Sequence, residues 1–336
     1  MAEPPLFCCC QFVDRHGRTS HLLDMSFCDA YTHGWNGTML HECCSDLDDR
    51  LRLPQYNGAV YLGVEGALPL LLLPAAAAAA CRGPLHTAAL LLLALPLLAA
   101  FHRRALRHRR RSRFFVSWCA ASLFYCEAAF TLLVGEHYAF GWWLLTSLGH
   151  VSALLCASAV RLPPGGEEAA PSRAECEGLT AGEAEREAGR GAPLAAGRVT
   201  CPLCGHSVPG YDHHCIYLDA CVGAHNRGYF LRGLLLSWAT MVIQTALTAD
   251  RALHQPGGRT WGLEAACASY GLVLVLACTA LLAEQLWLLG HGLTSYEARC
   301  LRRQGKQLPP WIGCGRWVQH LRSLLLSGHN HPTTFP

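Results

Sequence analysis

The chain has 336 residues, 51% of them hydrophobic and only 15% charged, with a formal net charge of +3. That balance excludes an ordinary soluble globular domain. Its nineteen cysteines are scattered through apolar runs and no secretory signal opens the sequence, so we expect reduced thiols on a cytosolic face, some of them metal ligands, rather than a disulfide scaffold.

In chain order, residues 1–57 form a polar, cysteine-rich cytosolic region, read as a tail or a small subdomain. Within it Cys8-Cys9-Cys10 are candidates for lipid attachment or an extra metal site, the tail or subdomain reading being favoured. The sequon Asn36-Gly37-Thr38 has no consequence if this end stays in the cytosol. Apolar runs follow at 59–81, 85–101, 114–134 and 140–160, and later at 229–249 and 265–290. Each approaches the ~20 residues a helix needs to cross a bilayer core. We read six crossings; the first two, interrupted by Glu65, Pro69 and Pro74, could instead form one re-entrant hairpin.

The arginine-rich stretch 102–113 lies between the second and third runs and predicts a cytosolic loop. The link between the fourth and fifth runs and both termini then fall on the same side. A nucleic-acid role for these arginines is disfavoured by the neighbouring spans. Residues 162–200 are rich in Gly, Glu, Ala, Pro and Arg and predict a flexible cytosolic linker, with a short helix near 180–189. Glu127, His150 and Glu284 lie inside apolar runs, where hydrogen bonding between helices is the favoured role. Arg232 sits near the cytosolic end of the fifth run, from where it can snorkel.

The chemistry is concentrated between Cys201 and Phe230. Cys201-Pro-Leu-Cys204 can pinch a metal from one tight turn. His214 and Cys221 complete four N/S ligands, which predicts a tetrahedral Cys3His zinc site. Spacing favours His214 as the ligand, with His213 as the alternative. Cys215 is then left unbound beside His213, whose neighbour is Asp212. A carboxylate, an imidazole and a thiol so close together are the parts of an activated cysteine nucleophile. His213 would act as general base and Asp212 would fix its tautomer.

At these positions the sequence resembles the DHHC family of integral-membrane protein S-acyltransferases. The resemblance rests on Asp212-His213-His214-Cys215, with Cys221, Asn226 and Phe230 at the family's spacing. The cysteine-rich opening looks like the family branch with four spans ahead of this domain. Thr294-Ser295-Tyr296-Glu297 looks like the family's Thr-Thr-x-Glu element, which packs beside the active site. Tyr217 stands in the place of a usual Trp and is expected near the acyl chain. Asp219 replaces a usual Asn and brings a charge close to the thiol, which could raise its pKa.

The fold implied is all-α and membrane-spanning, with about six helices and a small cytosolic zinc domain (201–228) between spans four and five. The region 291–336 is then cytosolic, and residues from Trp311 to Leu326 are amphipathic enough to lie on the membrane. The activity implied is transfer of palmitate or another long acyl chain from acyl-CoA, through acyl-Cys215, to cysteines of membrane-associated proteins. No nucleic acid is implied, and the expected compartment is the Golgi or endoplasmic reticulum. Arg299, Arg302, Arg303 and Lys306 would meet anionic lipid or the phosphates of coenzyme A, lipid being the favoured reading.

One departure stands out. The family domain binds two zinc ions through six cysteines and two histidines, but here a single complete ligand set remains. Aligned backward from Asp212, Ser207 stands where a cysteine is expected and Thr200 where a histidine is expected. Aligned instead on Cys201 and Cys204 as the first pair, with Pro209 in register, a segment is missing before Tyr211. Both alignments predict one zinc, and the alternative function is a catalytically impaired membrane scaffold.

Overall fold

The computed structural model describes residues 10–14, 19–22, 48–54, 59–107, 113–134, 138–162 and 198–327. Cys8 and Cys9, the sequon at 36–38, nearly all of the linker and its short helix at 180–189 lie outside the described residues. Two compact units divide the chain: Met1–Leu73 with Ser112–Ala121, and Pro74–Arg111 with Ser122–Pro336.

The first unit contains two antiparallel hairpins, β1 (Gln11–Val13) with β2 (Thr19–His21) and β3 (Arg52–Leu53) with β4 (Val60–Tyr61). Phe12 is buried beneath the Arg52 guanidinium, which lies 4.1 Å from its ring centroid. Arg52 is held in turn by Asp49 at 2.5 Å, and Tyr61 donates to Asp48.

Among the described residues, six helices are long and apolar enough to cross a membrane: α1 (Gly63–Ala80), α2 (Pro84–Arg107), α3 (Phe114–Leu133), α4 (Phe140–Arg161), α5 (Arg227–His254) and α6 (Trp261–Gly290). An 18-residue helix spans about 27 Å, close to the hydrocarbon thickness. At 28 and 30 residues, α5 and α6 exceed that length and carry their polar ends beyond it. Leu92 and Leu132, each at least 75% exposed, have their side chains outside the packed interior. Water would penalise so many open leucines, whereas lipid chains do not.

Within the second unit α5 packs most extensively, against α4 on one side and α6 on the other. Gly149 permits the α4 contact: a Cβ there would lie 2.2 Å from Thr240 Oγ1. One polar cluster inside this unit is paired between helices. Glu127 on α3 accepts from Ser147 at 2.6 Å and from His150 Nδ1 at 2.7 Å, both on α4, and from Gln244 on α5 at 2.6 Å. Interhelical bonding is therefore what Glu127 and His150 do. Glu284 differs, being exposed on α6. At the other end of α5, Arg251 pairs with the buried Glu264 at 2.7 Å.

Beyond α6 come α7 (Ser295–Arg303) and α8 (Cys314–Ser327). The expected surface helix is in part a packed one: Leu324 is buried with Leu231, Leu282 and Leu289, and Trp317 Nε1 donates to the Leu286 carbonyl at 3.2 Å. Val318 and Leu326 remain exposed on α8. The chain leading into it is pinned at the end of α6. Ile312 N donates to the Gly290 carbonyl at 2.9 Å, and the Trp311 indole occupies the space a Cβ at position 290 would need, with ring atoms as near as 1.9 Å. Gly290→Val should displace that indole and cost about 1–3 kcal/mol, the usual penalty for overpacking. Thermal unfolding of the detergent-purified chain would show a lower midpoint, partly restored when Trp311→Ala is added.

Candidate active site and zinc centre

Two short hairpins stand between α4 and α5. β5 (Arg198–Thr200) pairs with β6 (Ser207–Pro209), and the turn joining them carries Cys201 and Cys204. Gly205 closes that turn at φ +74°, and its N–H donates to the Cys201 carbonyl at 2.9 Å. β7 (His213–Cys215) pairs with β8 (Ala220–Val222), with His214 directly opposite Cys221. Cross-strand partners share a face. The second hairpin therefore offers an imidazole and a thiol side by side, and the first offers two thiols from one loop.

The four ligand atoms all lie within 4.8 Å of one another. His214 Nδ1 is 3.6 Å from Cys201 Sγ and 3.5 Å from Cys221 Sγ, while the Cys204 and Cys221 sulfurs are 3.3 Å apart. Zinc bond lengths imply tetrahedral edges of about 3.6 Å between sulfur and nitrogen and about 3.8 Å between sulfurs. The residues thus fit a single zinc ion, the Cys204–Cys221 sulfur pair opening by about half an ångström to take it. Among the described residues this is the one cluster of its kind. The hydrogen bonds of Cys204 and then Cys221 hold the Cys201 thiol well below the usual range, as a metal-binding thiolate requires. Tyr211 OH at 3.7 Å and Leu203 N at 3.4 Å also donate to its sulfur.

His214 therefore faces the sulfurs, and its neighbour His213 faces the opposite way in the strand. His213 Nδ1 donates to Asp212 Oδ2 at 2.6 Å and its ring meets Phe230 edge-on at 5.2 Å between centroids. Cys215 lies close enough to the same imidazole to act on its charge. Burial opposes a charge on His213, but Asp212 and Cys215 together push its pKa up to about 9. With Nδ1 committed to the carboxylate, Nε2 is the nitrogen free to exchange a proton with the thiol.

Asp212 is fully buried and heavily braced. The backbone N–H of Ser295 donates to Oδ1 at 2.6 Å and the Ser295 hydroxyl to Oδ2 at 3.3 Å. Ser295 is the first residue of α7, so the carboxylate sits at the positive end of that helix. Thr294 and Glu297 cap α7 reciprocally, through bonds of 2.8 and 3.2 Å. Burial would raise the Asp212 pKa, but the His213 bond, the Arg227 charge and the Ser295 N–H outweigh it and hold the carboxyl well below its usual range.

Cys215 packs with Val160 at the end of α4, Val222, and the partly buried Tyr229 and Phe230 at the start of α5. Asn226 fixes this junction. Its side chain accepts from Gly223 N and donates to the Val160 and Cys221 carbonyls, each at 2.9 Å. The nucleophile candidate is thereby tied both to a zinc ligand and to the end of a spanning helix. Tyr217 lies on the exposed turn of the second hairpin. Arg299 donates to the Asp212 backbone carbonyl at 3.3 Å, Arg302 lies 5.9 Å from the Trp287 ring centroid, and Arg303 and Lys306 are exposed.

Sequence reasoning missed several of these partners. Arg227, 66 residues before Leu293 in sequence, donates to the Leu293 carbonyl at 3.1 Å, and its charge acts on Asp212. Gln285 on α6 donates to Ser295 Oγ at 3.3 Å. Asp219, expected beside the thiol, faces the zinc ligand: its Oδ1 lies 3.4 Å from His214 Nε2.

Fold and site define a multi-pass membrane protein with a Cys3His zinc domain and, next to it, a cysteine beside a histidine–aspartate pair. Residues 198–300 match the family of the DHHC palmitoyltransferase, and the chain carries a domain of that family. Palmitoyltransferase ZDHHC23 of Mus musculus is 25% identical over an alignment of 380 residues, covering 90% of this chain and 87% of its own. Palmitoyltransferase ZDHHC23-B of Danio rerio is 25% identical over 311 residues, or 73% of this chain and 70% of that one. Palmitoyltransferase ERF2 of Candida glabrata is 43% identical over 58 residues, 16% of this chain and 18% of its own.

The ligand count yields a direct expectation. Metal analysis of the detergent-purified chain should find one zinc per polypeptide, lost on Cys204→Ala; two equivalents would require ligands beyond the described cluster.

Proposed function

We infer that the chain is a protein S-palmitoyltransferase, moving a long acyl chain from acyl-CoA to cysteines of membrane-associated proteins. The observation that carries this reading is the line Asp212–His213–Cys215 beside a complete zinc ligand set, within the residues that match the DHHC family. In the first step His213 takes the Cys215 proton, and the thiolate attacks the carbonyl carbon of the acyl-CoA thioester. The carbon–sulfur bond to coenzyme A breaks, and the leaving thiolate recovers the proton from the imidazolium. In the second step a substrate cysteine attacks acyl-Cys215 and frees the enzyme thiol. One thioester replaces another at each step, so no outside energy source is needed.

The protein contributes mainly position and charge. Asp212, locked by Ser295 and Arg227, holds the His213 ring and stabilises the imidazolium. Zinc, bound by Cys201, Cys204, His214 and Cys221, supplies structural order to the hairpins that present Cys215. The apolar ends of α4 and α5 beside the thiol suit an acyl chain lying along the spans, with Tyr217 at the rim. Such placement makes an encounter between two molecules effectively intramolecular. Arg299, Arg302, Arg303 and Lys306 supply cations for the phosphates of coenzyme A or for anionic lipid. The arginine-rich stretch 102–113 favours a cytosolic site and cytosolic termini; the membrane expected is that of the Golgi or endoplasmic reticulum. The impaired-scaffold alternative gains no support from the geometry, because the loss of a second ligand set leaves the nucleophile and its partners assembled.

With labelled palmitoyl-CoA the purified chain should acquire hydroxylamine-sensitive label that Cys215→Ser abolishes. His213→Ala should slow labelling by about 10²–10⁴-fold, the usual contribution of a general base. Equal labelling of wild type and Cys215→Ser would overturn the assignment.

A further inference from the structure

The zinc-ligating histidine has a second partner that the ligand pattern does not require. His214 Nδ1 points at the sulfurs of Cys201 and Cys221, at 3.6 and 3.5 Å. Its other nitrogen, Nε2, lies 3.4 Å from Asp219 Oδ1. The contact is not a surface ion pair: the two side chains are 3% and 16% exposed. Asp219 also closes the β7–β8 hairpin with φ +47°, the one described non-glycine residue at positive φ. Aspartate and asparagine enter that region at lower cost than other side chains, so the chain accepts a strained backbone where the carboxylate meets the imidazole.

We propose that Asp219 is a positioning residue for the zinc ion: its carboxylate accepts the Nε2–H of His214, fixing the tautomer and ring orientation that direct Nδ1 to the metal. An imidazole bonded in this way is also the more basic ligand, and such outer partners typically contribute 10–100-fold to metal affinity. The effect matters more here than where two ions share the load. The hairpins have one described ligand cluster, and a weaker His214 bond would loosen the strand that carries both His213 and Cys215. The proposal is independent of acyl transfer, because its readout is metal retention.

The test uses the full-length detergent-purified chain with Asp219→Asn and Asp219→Gly. Asparagine keeps the left-handed turn and nearly the same shape but removes the charge; glycine relieves the backbone and removes the side chain. Competition against a chromogenic chelator should show zinc held about 10–100-fold more weakly in Asp219→Gly, and weakened less in Asp219→Asn, whose Oδ1 still accepts the Nε2–H. Cobalt-substituted samples at saturating metal should keep the wild-type absorption of a three-sulfur, one-nitrogen site, since no ligand has been lost. Wild-type zinc affinity in Asp219→Gly would overturn the proposal. So would loss of the three-sulfur, one-nitrogen spectrum at saturating metal, which would make Asp219 a ligand or a folding determinant instead.

Discussion

Four soft ligands, two from a loop and two from facing strand positions, must meet at one point, and the rest of the site follows from that meeting. Without it the two hairpins are three-residue ladders of a kind that is barely stable in water. Structural zinc binding contributes on the order of 10–16 kcal/mol in finger-sized domains, more than such hairpins could gather from packing alone. Once His214 is turned to the metal, strand alternation sends His213 to the other face and leaves Cys215 against the ends of α4 and α5. The tetrapeptide thus divides its labour by geometry: one histidine for the metal, one for the thiol.

The second constraint comes from the far end of the chain. Asp212 would be an expensive buried charge if it had only its histidine. It is matched by the N-terminus of α7, by the Ser295 hydroxyl and by the charge of Arg227. The helix that follows the last span is therefore part of the site, and its own start is secured by the Thr294–Glu297 capping box. Glu127, His150 and Gln244 answer the same problem inside the spans, where the Glu127 carboxylate accepts from both of the others across helices.

Much of this was legible from residues alone. The length of the apolar runs yields six helices because a bilayer admits little else, and the run 229–249 fell short of α5 (Arg227–His254) only because its polar ends leave the apolar zone. The zinc ligands were readable because metal chemistry restricts both residue type and spacing. What could not be read were long-range partners with no local signature, such as Arg227 with Leu293 and Gln285 with Ser295. The partner of Asp219 was hidden for a related reason: only the hairpin turn shows that the carboxylate meets His214. The packing of α8 on α5 and α6 was hidden because an amphipathic helix reads alike whether it covers lipid or protein.

The account stands on one sulfur being left over when the metal has taken its share. Mass spectrometry of the intact acyl-enzyme, trapped at low pH after brief exposure to palmitoyl-CoA and then digested, reads that directly. The account predicts a thioester-linked acyl group on Cys215, with Cys201, Cys204 and Cys221 unmodified; an acyl group on any of those three ahead of Cys215 would contradict it.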